Sequence, residues 1–387
     1  MRIKILHVLS NWKWTESSEP SVDLALAQKN MGAKVILACG LRPGNLRSDL
    51  EFYARKKGMD NVFTLNLPKH FNLLSITQSV LGLRKLLKKF VPDIIHCHMP
   101  NAHLLAGLAR GAASRPHIIR SEYNPSGIKK NIRSSFLYKY STDGLVVLDN
   151  ATKKEAISMY DFDQDTVQVA EPGVDLQRFS TNKNSPSKRK EFNLAENNFV
   201  MGVVSRIRKS RRIDIPMGAL NLLSDKFPHL RLMLVGHGRK GASDEVVAGP
   251  AAKMGITDKV ILPGYCRGDR LVDAYSVMDV LVYPFPGTDK TCRTVREAMA
   301  AGVPVIAPDM GFLPKMIEDG TNGWLMDTSP ESLASILPNL IKDRESLKKT
   351  AENAFKTAQQ RFSPVRQAEN IFSLYHKILY KFSIVSG

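Results

Sequence analysis

A cluster of cations in the second half of the chain could bind a phosphorylated ligand. The segment VVSRIRKSRR (203–212) ends an apolar run and places five Lys and Arg residues before a helical pattern that begins near Ile213. Guanidinium groups such as those of Arg206 and Arg211, free N–H groups at a helix start and the helix dipole all favour anionic oxygens. The segment therefore indicates a diphosphate site, with an ordinary solvated basic turn as the alternative.

A second segment, DKTCRTVRE (289–297), has a carboxylate at each end and leads into the small-residue run AMAAGVPVIAP. One carboxylate can accept hydrogen bonds from two neighbouring ribose hydroxyls, and Glu297 at the start of a predicted helix is suitably placed to do so. Asp289 would then face another part of the ligand. Two acids at this spacing also arise by chance, so a charged turn between a strand and a helix is the competing interpretation.

These segments need a framework to position them, and the chain predicts one. Short runs rich in Val, Ile and Leu alternate with helical segments, as is typical of buried parallel strands. The predicted strands form two successive sets, 3–9, 34–39, 93–98, 117–121 and 143–148, then 199–205, 230–236, 259–264, 279–284 and 303–307. The predicted fold class is α/β, with two Rossmann-like, doubly wound parallel sheets facing a cleft and ligands in the loops after the strands.

The length of 387 residues favours two domains. A polar, basic segment at 179–198 separates the two sets of strands and predicts a linker over about 180–197. The N-terminal domain is then predicted over 1–180 and the C-terminal domain over 195–364. Apolar residues at helical spacing after a Ser-Pro start predict a closing helix over about 365–387.

The composition indicates an anionic partner. The chain has 55 Lys and Arg against 37 Asp and Glu, a net charge of +18. A membrane surface, nucleic acid and phosphorylated small molecules all fit this charge, and so does a basic surface that only aids solubility. No apolar run approaches the ~20 residues that span a bilayer, and the N-terminus reads as a strand, not a signal peptide. Four cysteines without a CxxC pair favour a reduced, cytoplasmic setting without a zinc site.

The order of the motifs resembles the retaining glycosyltransferases of family 4, which have the GT-B fold. The resemblance covers nearly the whole chain and is strongest in the second half, where the D-x7-E pair precedes AMAAGVPVIA. The other motifs that carry it are S-R-I-x-x-x-R-R (205–212), LVGHGR (234–239), ILPGY (261–265), DVLVYP (279–284) and EDGTNGWLM (318–326), with DIIHCH (93–98) and EPGVDLQRF (171–179) upstream. The fold implies that the closing helix returns to the N-terminal domain.

The resemblance implies a site for a UDP- or GDP-sugar. Arg206 and Arg211 would bind the donor diphosphate, Glu297 the ribose and Asp289 the sugar hydroxyls, with Arg206, Arg211 and Asp289 forming the catalytic set. It implies transfer with retention of configuration, with no metal ion and no further cofactor. The predicted donor-binding residues are Ser205, Gly236, Thr291, Cys292, Arg293, Thr294, Val295 and Glu297.

Three positions in the donor loop depart from the family pattern, and we expect them to decide the donor preference. Asp289 replaces a longer glutamate. Cys292 replaces a glycine, and we expect it to be a small packing residue. Arg293 adds a charge that the pattern does not require. It could contact a phosphate or an anionic sugar, or it could pair with Asp289 or Glu297.

The first half departs further from the family pattern. The first loop, 10–27, lacks the expected glycine, and Tyr123 stands where the family's T-x-H histidine would be. The segment HCHMPNAH offers His96, His98 and His103 as replacements for that imidazole. The candidates on the acceptor side are Trp14, Glu16, His98 and Tyr123.

Basic segments with interleaved apolar residues, 75–93 and 129–140, suit contact with an anionic membrane as well as ordinary packing. The predicted function is transfer of a hexose-like sugar to a glycan or glycolipid acceptor in lipopolysaccharide, capsule or lipid-linked oligosaccharide synthesis. The predicted location is the cytoplasm, with peripheral association at the inner face of the membrane left open. The alternatives are a nucleotide-sugar epimerase of the same fold and a non-catalytic basic nucleic-acid-binding protein. The chain lacks a nucleic-acid recognition motif, so no nucleic-acid partner is expected.

Overall fold

The structure is a computed structural model that divides into two compact units. The first unit comprises Met1–Gly173 and Phe362–Gly387, and the second comprises Val174–Arg361. The residues that the structure describes are 2–15, 18–68, 73–123, 128, 131–180, 186–285 and 292–385.

The first unit contains a seven-stranded parallel sheet in the order β3-β2-β1-β4-β5-β6-β7. Its strands are β1 Lys4–Leu9, β2 Lys34–Gly40, β3 Val62–Leu65, β4 Ile94–Cys97, β5 His117–Glu122, β6 Gly144–Val147 and β7 Val167–Val169. Its helices are α1 Ser18–Asn30, α2 Asp49–Lys56, α3 Leu73–Phe90, α4 Pro100–Arg110, α5 Ile132–Tyr140 and α6 Asn150–Tyr160, joined by the C-terminal helix α15 Pro364–Val385. Because the chain winds one way from β1 and the other way from β4, the sheet has its topological switch point between these two strands.

The second unit repeats this organisation with a six-stranded parallel sheet in the order β10-β9-β8-β11-β12-β13. Its strands are β8 Phe199–Val204, β9 Leu230–Val235, β10 Val260–Gly264, β11 Val280–Val282, β12 Val305–Pro308 and β13 Gly323–Met326. Its helices are α7 Leu176–Phe179, α8 Pro186–Glu191, α9 Asp214–Leu223, α10 Gly249–Lys253, α11 Asp269–Ser276, α12 Arg293–Ala300, α13 Pro330–Lys342 and α14 Arg344–Arg361. The switch point here lies between β8 and β11.

The predicted α/β class with two doubly wound parallel sheets is confirmed, and each predicted strand is present. Three strands that the sequence did not predict, β3, β7 and β13, all lie at sheet edges. Each is three or four residues long and only partly buried. A strand that is covered on fewer sides needs fewer apolar residues, so its sequence lacks the continuous Val, Ile and Leu signal.

The C-terminal helix α15 completes the core of the first unit, as predicted. Ile371, Leu374, Tyr375 and Ile378 are fully buried in a cluster shared with α1 and the central strands. Burying an apolar side chain of this size contributes about 1.5–3 kcal/mol. The helix is therefore an integral part of a unit whose strands lie at the other end of the sequence.

The division between the units lies upstream of the predicted linker. The described part of that segment belongs to the second unit and includes α8. Within α8, Arg189 is only 5% exposed and donates hydrogen bonds to the carbonyls of Ala195 (3.3 Å) and Asn198 (2.6 Å). The segment resembles a linker in composition because its buried arginine hydrogen-bonds backbone carbonyls, although the segment is packed in the second unit.

Candidate active site

The loops after β8 and β9 lie side by side in the second unit. The amide of Ser205 donates to the carbonyl of Val235, and that of Ile207 donates to the carbonyl of His237, each at 3.0 Å. Gly236 has φ 147°, and a Cβ there would overlap the carbonyl oxygen of Ser205. Glycine at 236 therefore permits the close approach that holds the backbone on either side of Arg206.

The cations of the loop after β8 differ in their surroundings. Arg206 is exposed, and no described residue hydrogen-bonds or ion-pairs with its side chain. Arg211 places its guanidinium 4.3 Å from the centre of the Phe285 ring, which follows β11. Arg212 pairs with Asp214 at 3.1 Å. Arg206 thus presents its charge to solvent. Arg211, by contrast, packs the loop that follows β8 against the residue Phe285 that follows β11.

Glu297 is held inside the second unit by two donors. One carboxylate oxygen accepts from Nε of Arg293 at 2.6 Å, and the other accepts from the Tyr275 hydroxyl at 3.0 Å. The residue is 4% exposed. Burial, together with the nearby charge of Glu297, raises the pKa of Tyr275 well above its ordinary value, so the hydroxyl keeps its proton and donates it. The sequence left Arg293 to contact a phosphate or anionic sugar, or to pair with Asp289 or Glu297. The structure shows the ion pair with Glu297.

Cys292 precedes the first turn of α12 in a left-handed conformation, with φ 40° and ψ 49°. It is 1% exposed, and its carbonyl accepts from the amides of Val295 (2.9 Å) and Arg296 (3.2 Å). The backbone here has the geometry that glycine adopts most readily, which accounts for the glycine in the family pattern. Cys292 fills this position as a buried packing residue.

The other predicted donor-binding residues are placed as follows. Thr294 is half-buried in the first turn of α12, and Val295 beside it is fully buried. Asp289 and Thr291 lie outside the described residues. Because β8 and β11 are neighbouring strands, the basic loop and the start of α12 both belong to the switch point of the second sheet.

In the first unit, three histidines lie together at the switch point between β1 and β4. His7 and His96 are paired in register on these strands and are fully buried, and His98 follows β4 and is partly exposed. Nδ1 of His7 lies 2.8 Å from Nε2 of His98. The three rings are nearly parallel, with planes within 19° of one another.

The geometry of this histidine cluster suits hydrogen bonding better than metal binding. One ligand atom from each histidine lies within 4.8 Å of the others. However, both ring nitrogens of His7 and of His96 already take part in hydrogen bonds. Two nitrogen ligands of a tetrahedral zinc ion would lie about 3.3 Å apart, farther than the 2.8 Å between His7 and His98.

The remaining acceptor-side candidates have packing or hydrogen-bonding partners, or lie outside the described part of the chain. The Tyr123 hydroxyl donates to the carbonyl of Ala170 (3.0 Å) and accepts from Gln367 of α15 (3.1 Å). Trp14 packs against Tyr53, with ring centres 5.3 Å apart. Glu16 is among the residues that the structure does not describe.

His103, the third histidine of HCHMPNAH, hydrogen-bonds a residue outside the histidine cluster. Its Nε2 bonds the hydroxyl of Thr142 at 2.9 Å. Burial lowers the pKa of His103 to about 3.

Sequence reasoning missed His7, Tyr275 and Tyr375 as partners of the candidate residues. A signal existed for His7, because IKILHVL and DIIHCH each interrupt an apolar strand with a histidine that faces the core. Tyr275 and Tyr375 sit at helical core positions, where the sequence predicts packing alone.

Comparison with known families agrees with this arrangement. The model for "Glycosyl transferases group 1" matches residues 184–357, and the model for "Glycosyltransferase Family 4" matches residues 21–178. The chain belongs to glycosyltransferase family 4. Both predicted assignments, the family and its GT-B fold, are thereby confirmed.

Relatives within the family are moderately similar. A D-inositol 3-phosphate glycosyltransferase of Streptomyces bingchenggensis is 30% identical over 227 residues, which are 57% of this chain and 50% of that protein. The matched segment thus spans half the length of that relative. An uncharacterized glycosyltransferase of Methanocaldococcus jannaschii is 22% identical over 73% of this chain and 75% of that protein.

A solved structure supports the fold. The Anabaena protein HepE, in complex with UDP and glucose, aligns with a TM-score of 0.76 at 20% identity, covering 96% of this chain and 98% of that chain. At this identity the similarity shows the fold alone.

Proposed function

We propose that the protein is a retaining glycosyltransferase that moves a hexose-like sugar from a UDP- or GDP-sugar to an acceptor hydroxyl. The observation that carries the proposal is the pairing of a basic loop with a helix start at the switch point of the second sheet. Arg206 is exposed there, Arg211 packs against Phe285, and Glu297 lies on the helix that follows. Family membership supports this assignment, as does the UDP bound to HepE.

The proposed chemistry uses the cations of the loop after β8. Cleavage of the bond between the anomeric carbon and the nucleotide develops negative charge on the leaving diphosphate and positive charge on the sugar ring. Arg206 and Arg211 stabilise the diphosphate as fixed charges near the start of a helix. The leaving phosphate accepts the proton of the acceptor hydroxyl, which attacks the same face. The reaction so described requires no metal ion and no cofactor besides the sugar nucleotide.

Glu297 is proposed to bind the ribose while its two present partners orient it. An ionised carboxylate has about four acceptor sites, so each oxygen can accept a ribose hydroxyl in addition to the bond it already makes. Arg293 holds one oxygen and Tyr275 the other, which limits rotation of the carboxylate. Asp289 is proposed to bind hydroxyls of the donor sugar.

The acceptor is proposed to be a glycan or glycolipid of the cell surface, reached from the cytoplasmic face of the membrane. Helix α5 supports a membrane contact, because Ile132, Phe136 and Tyr140 are 92%, 59% and 61% exposed at a spacing of four residues. None of the described helices has the length and apolar character needed to cross a bilayer. Peripheral association through a surface with exposed apolar residues and basic neighbours is consistent with this finding.

Incubation of the full-length protein with a panel of UDP- and GDP-sugars tests the proposal. We expect release of one nucleoside diphosphate that increases and saturates with a glycolipid acceptor, and a product with the anomeric configuration of the donor by NMR. Conversion of the donor into its epimer without release would favour the epimerase. Tight RNA binding with no affinity for nucleotide sugars would overturn the proposal.

A further inference from the structure

A continuous line of hydrogen bonds runs through the core of the first unit and ends at His98. It links side chains from β1, β4, β5, α1 and α15 within an otherwise apolar cluster. In order, its members are His98, His7, Gln28, Tyr375, His96 and Ser121. Such a polar layer is costly to bury unless every group is paired, so its directions are constrained.

The amide of Gln28 sets the direction of the line toward His98. Its oxygen lies 2.8 Å from Nε2 of His7, and an amide oxygen can only accept, so His7 carries its proton on Nε2. Nδ1 of His7 is then an acceptor, and His98 must donate to it from Nε2 at 2.8 Å. A neutral His98 with its proton on Nε2 retains a lone pair on Nδ1.

The same amide sets the direction toward Ser121. The NH₂ group of Gln28 donates to the Tyr375 hydroxyl at 3.4 Å, and the hydroxyl donates in turn to Nδ1 of His96. His96 therefore carries its proton on Nε2 and donates to Ser121 at 2.7 Å. The tautomers of all three histidines therefore follow from the orientation of the Gln28 amide, whose oxygen faces His7 and whose NH₂ group faces Tyr375.

The surroundings of the cluster keep the histidines neutral. Burial lowers the pKa of His7 to about 4, and the hydrogen bond to Gln28 only partly offsets it. Burial also lowers the pKa of His98 well below its ordinary value, helped by His96, His7 and the guanidinium of Arg120 on β5. A neutral histidine can accept a hydrogen bond from a hydroxyl, whereas a protonated one cannot.

We propose that Nδ1 of His98 accepts a hydrogen bond from a sugar hydroxyl and that Gln28 is the positioning residue that holds His98 in the required tautomer. Three observations carry this inference: His98 is partly exposed, it lies at the switch point of the first sheet, and no described residue hydrogen-bonds its Nδ1. The inference deepens the proposed function and depends on it for the identity of the ligand.

The tautomer itself is measured without any substrate. Long-range ¹H–¹⁵N spectra of the full-length protein, labelled with ¹⁵N-histidine, distinguish a protonated Nε2 from a protonated Nδ1. The His98 signals are assigned by their absence in His98→Gln. We expect a neutral ring protonated on Nε2 at pH 7. Protonation on Nδ1 would overturn the proposal, because His98 would then have no acceptor for a hydroxyl.

Titration of the same labelled protein identifies the hydroxyl. UDP alone reports on the second unit, and UDP-glucose, D-glucose and myo-inositol are added in parallel. A shift of the His98 Nδ1 resonance with UDP-glucose but not with UDP assigns a donor hydroxyl, and a shift with glucose or myo-inositol assigns an acceptor hydroxyl. If UDP binds and none of the sugars shifts Nδ1, the proposal fails while the nucleotide site stands. If UDP does not bind, a UDP-sugar is excluded as the donor in the proposed function. The tautomer measurement does not depend on UDP, so it still decides the position of the His98 proton.

Two variants of His98 separate hydroxyl binding from structural support. His98→Asn keeps an acceptor near the position of Nδ1, whereas His98→Gln keeps the donor to His7 and lacks that acceptor. We expect kcat/KM to fall about ten- to one hundred-fold in His98→Gln and less in His98→Asn. Equal losses in both variants, with unchanged thermal unfolding, would contradict a hydroxyl contact.

Gln28→Glu tests the positioning role without altering His98. A carboxylate beside Nε2 of His7 favours the protonated imidazole, whose Nδ1–H would donate to His98 and force its proton onto Nδ1. We expect the His98 tautomer to reverse and kcat/KM to fall by a similar factor, while UDP binding is unchanged. A reversed tautomer with full activity would exclude the role of Gln28. If this variant does not fold, the tautomer of the unmodified protein still decides the proposal.

Discussion

At the scale of single residues, the candidate donor site depends on which cations remain available for a ligand. All five cations between Ser205 and Arg212 are exposed or half-exposed, so charge and exposure alone do not distinguish them. Their partners do. Lys209 faces Glu245 at 3.0 Å and Arg212 faces Asp214 at 3.1 Å, while Arg206 and Arg208 have no such partner among the described residues.

Replacing Arg206 with alanine should therefore reduce kcat by about 10²–10³-fold, because a fixed charge at the leaving diphosphate is lost. Arg212→Ala is the matched control, since it removes an exposed ion pair that contributes at most about 1 kcal/mol. Nucleoside diphosphate release and thermal unfolding are measured for both. Near-normal turnover in Arg206→Ala would exclude its role at the phosphate.

The buried histidines should make the free energy of unfolding sensitive to acid. His7 has a pKa of about 4 in the folded protein and about 6.5 when unfolded, so the unfolded state binds more protons below pH 6.5. The stability that follows from a neutral His7 is fully present above pH 6.5 and is lost as the pH falls toward 4. The loss for His7 between pH 7.5 and pH 5 is about 2 kcal/mol.

Urea unfolding at these two pH values measures this loss. His7→Gln retains a hydrogen-bonding side chain that does not titrate, and we expect it to be less sensitive to acid than the unmodified protein. His376→Gln, at an exposed position of α15, is the control. An unchanged pH dependence in His7→Gln would show that His7 is not the acid-sensitive group.

At the scale of elements, the return of α15 to the first sheet depends on close contacts with small residues. Gly144 on β6 leaves room for Ile378 of α15, since a Cβ at position 144 would lie 2.5 Å from Cδ1 of Ile378. Gly144→Ala should destabilise the protein by about 1–3 kcal/mol through overpacking. Denaturant unfolding measures the change.

Two further variants make this prediction specific. Gly82→Ala, within α3, meets only ordinary contact at 3.6 Å and should stabilise the helix by about 0.5–1 kcal/mol. Ile378→Val removes the colliding methyl group, so it should recover part of the loss when combined with Gly144→Ala. If Gly144→Ala alone is neutral, α15 packs less tightly on β6 than the structure indicates.

At the scale of the whole molecule, the net charge of +18 and the exposed face of α5 predict binding to anionic membranes. We expect the full-length protein to bind vesicles containing phosphatidylglycerol, and less so as salt is raised, because screening shortens the reach of its charges. Phe136→Ser should weaken binding about tenfold through lost apolar burial. Phe52→Ser, an exposed phenylalanine on α2, should not. Equal effects of the two variants, measured by vesicle sedimentation, would contradict docking through α5.

Much of the fold was predictable because its signals are local. Two sets of apolar runs indicated the two sheets, and the spacing of Ile371, Leu374 and Ile378 indicated the closing helix. The basic run after β8 and the motifs near Glu297 indicated a family 4 glycosyltransferase. Three of the four edge strands, β3, β7 and β13, were missed, because these short and partly buried strands lack a continuous apolar run.

Hydrogen-bond partners were decided only by the tertiary structure. His7 and His98 are 91 residues apart in the sequence, and His96 and Tyr375 are 279 apart. Sheet register brings the histidines of β1 and β4 together, and the return of α15 adds Tyr375. Glu297 likewise acquires Tyr275 only when α11 and α12 pack. Hydrophobic periodicity specifies which face of an element is buried, whereas the partners of a buried polar group depend on which elements meet there.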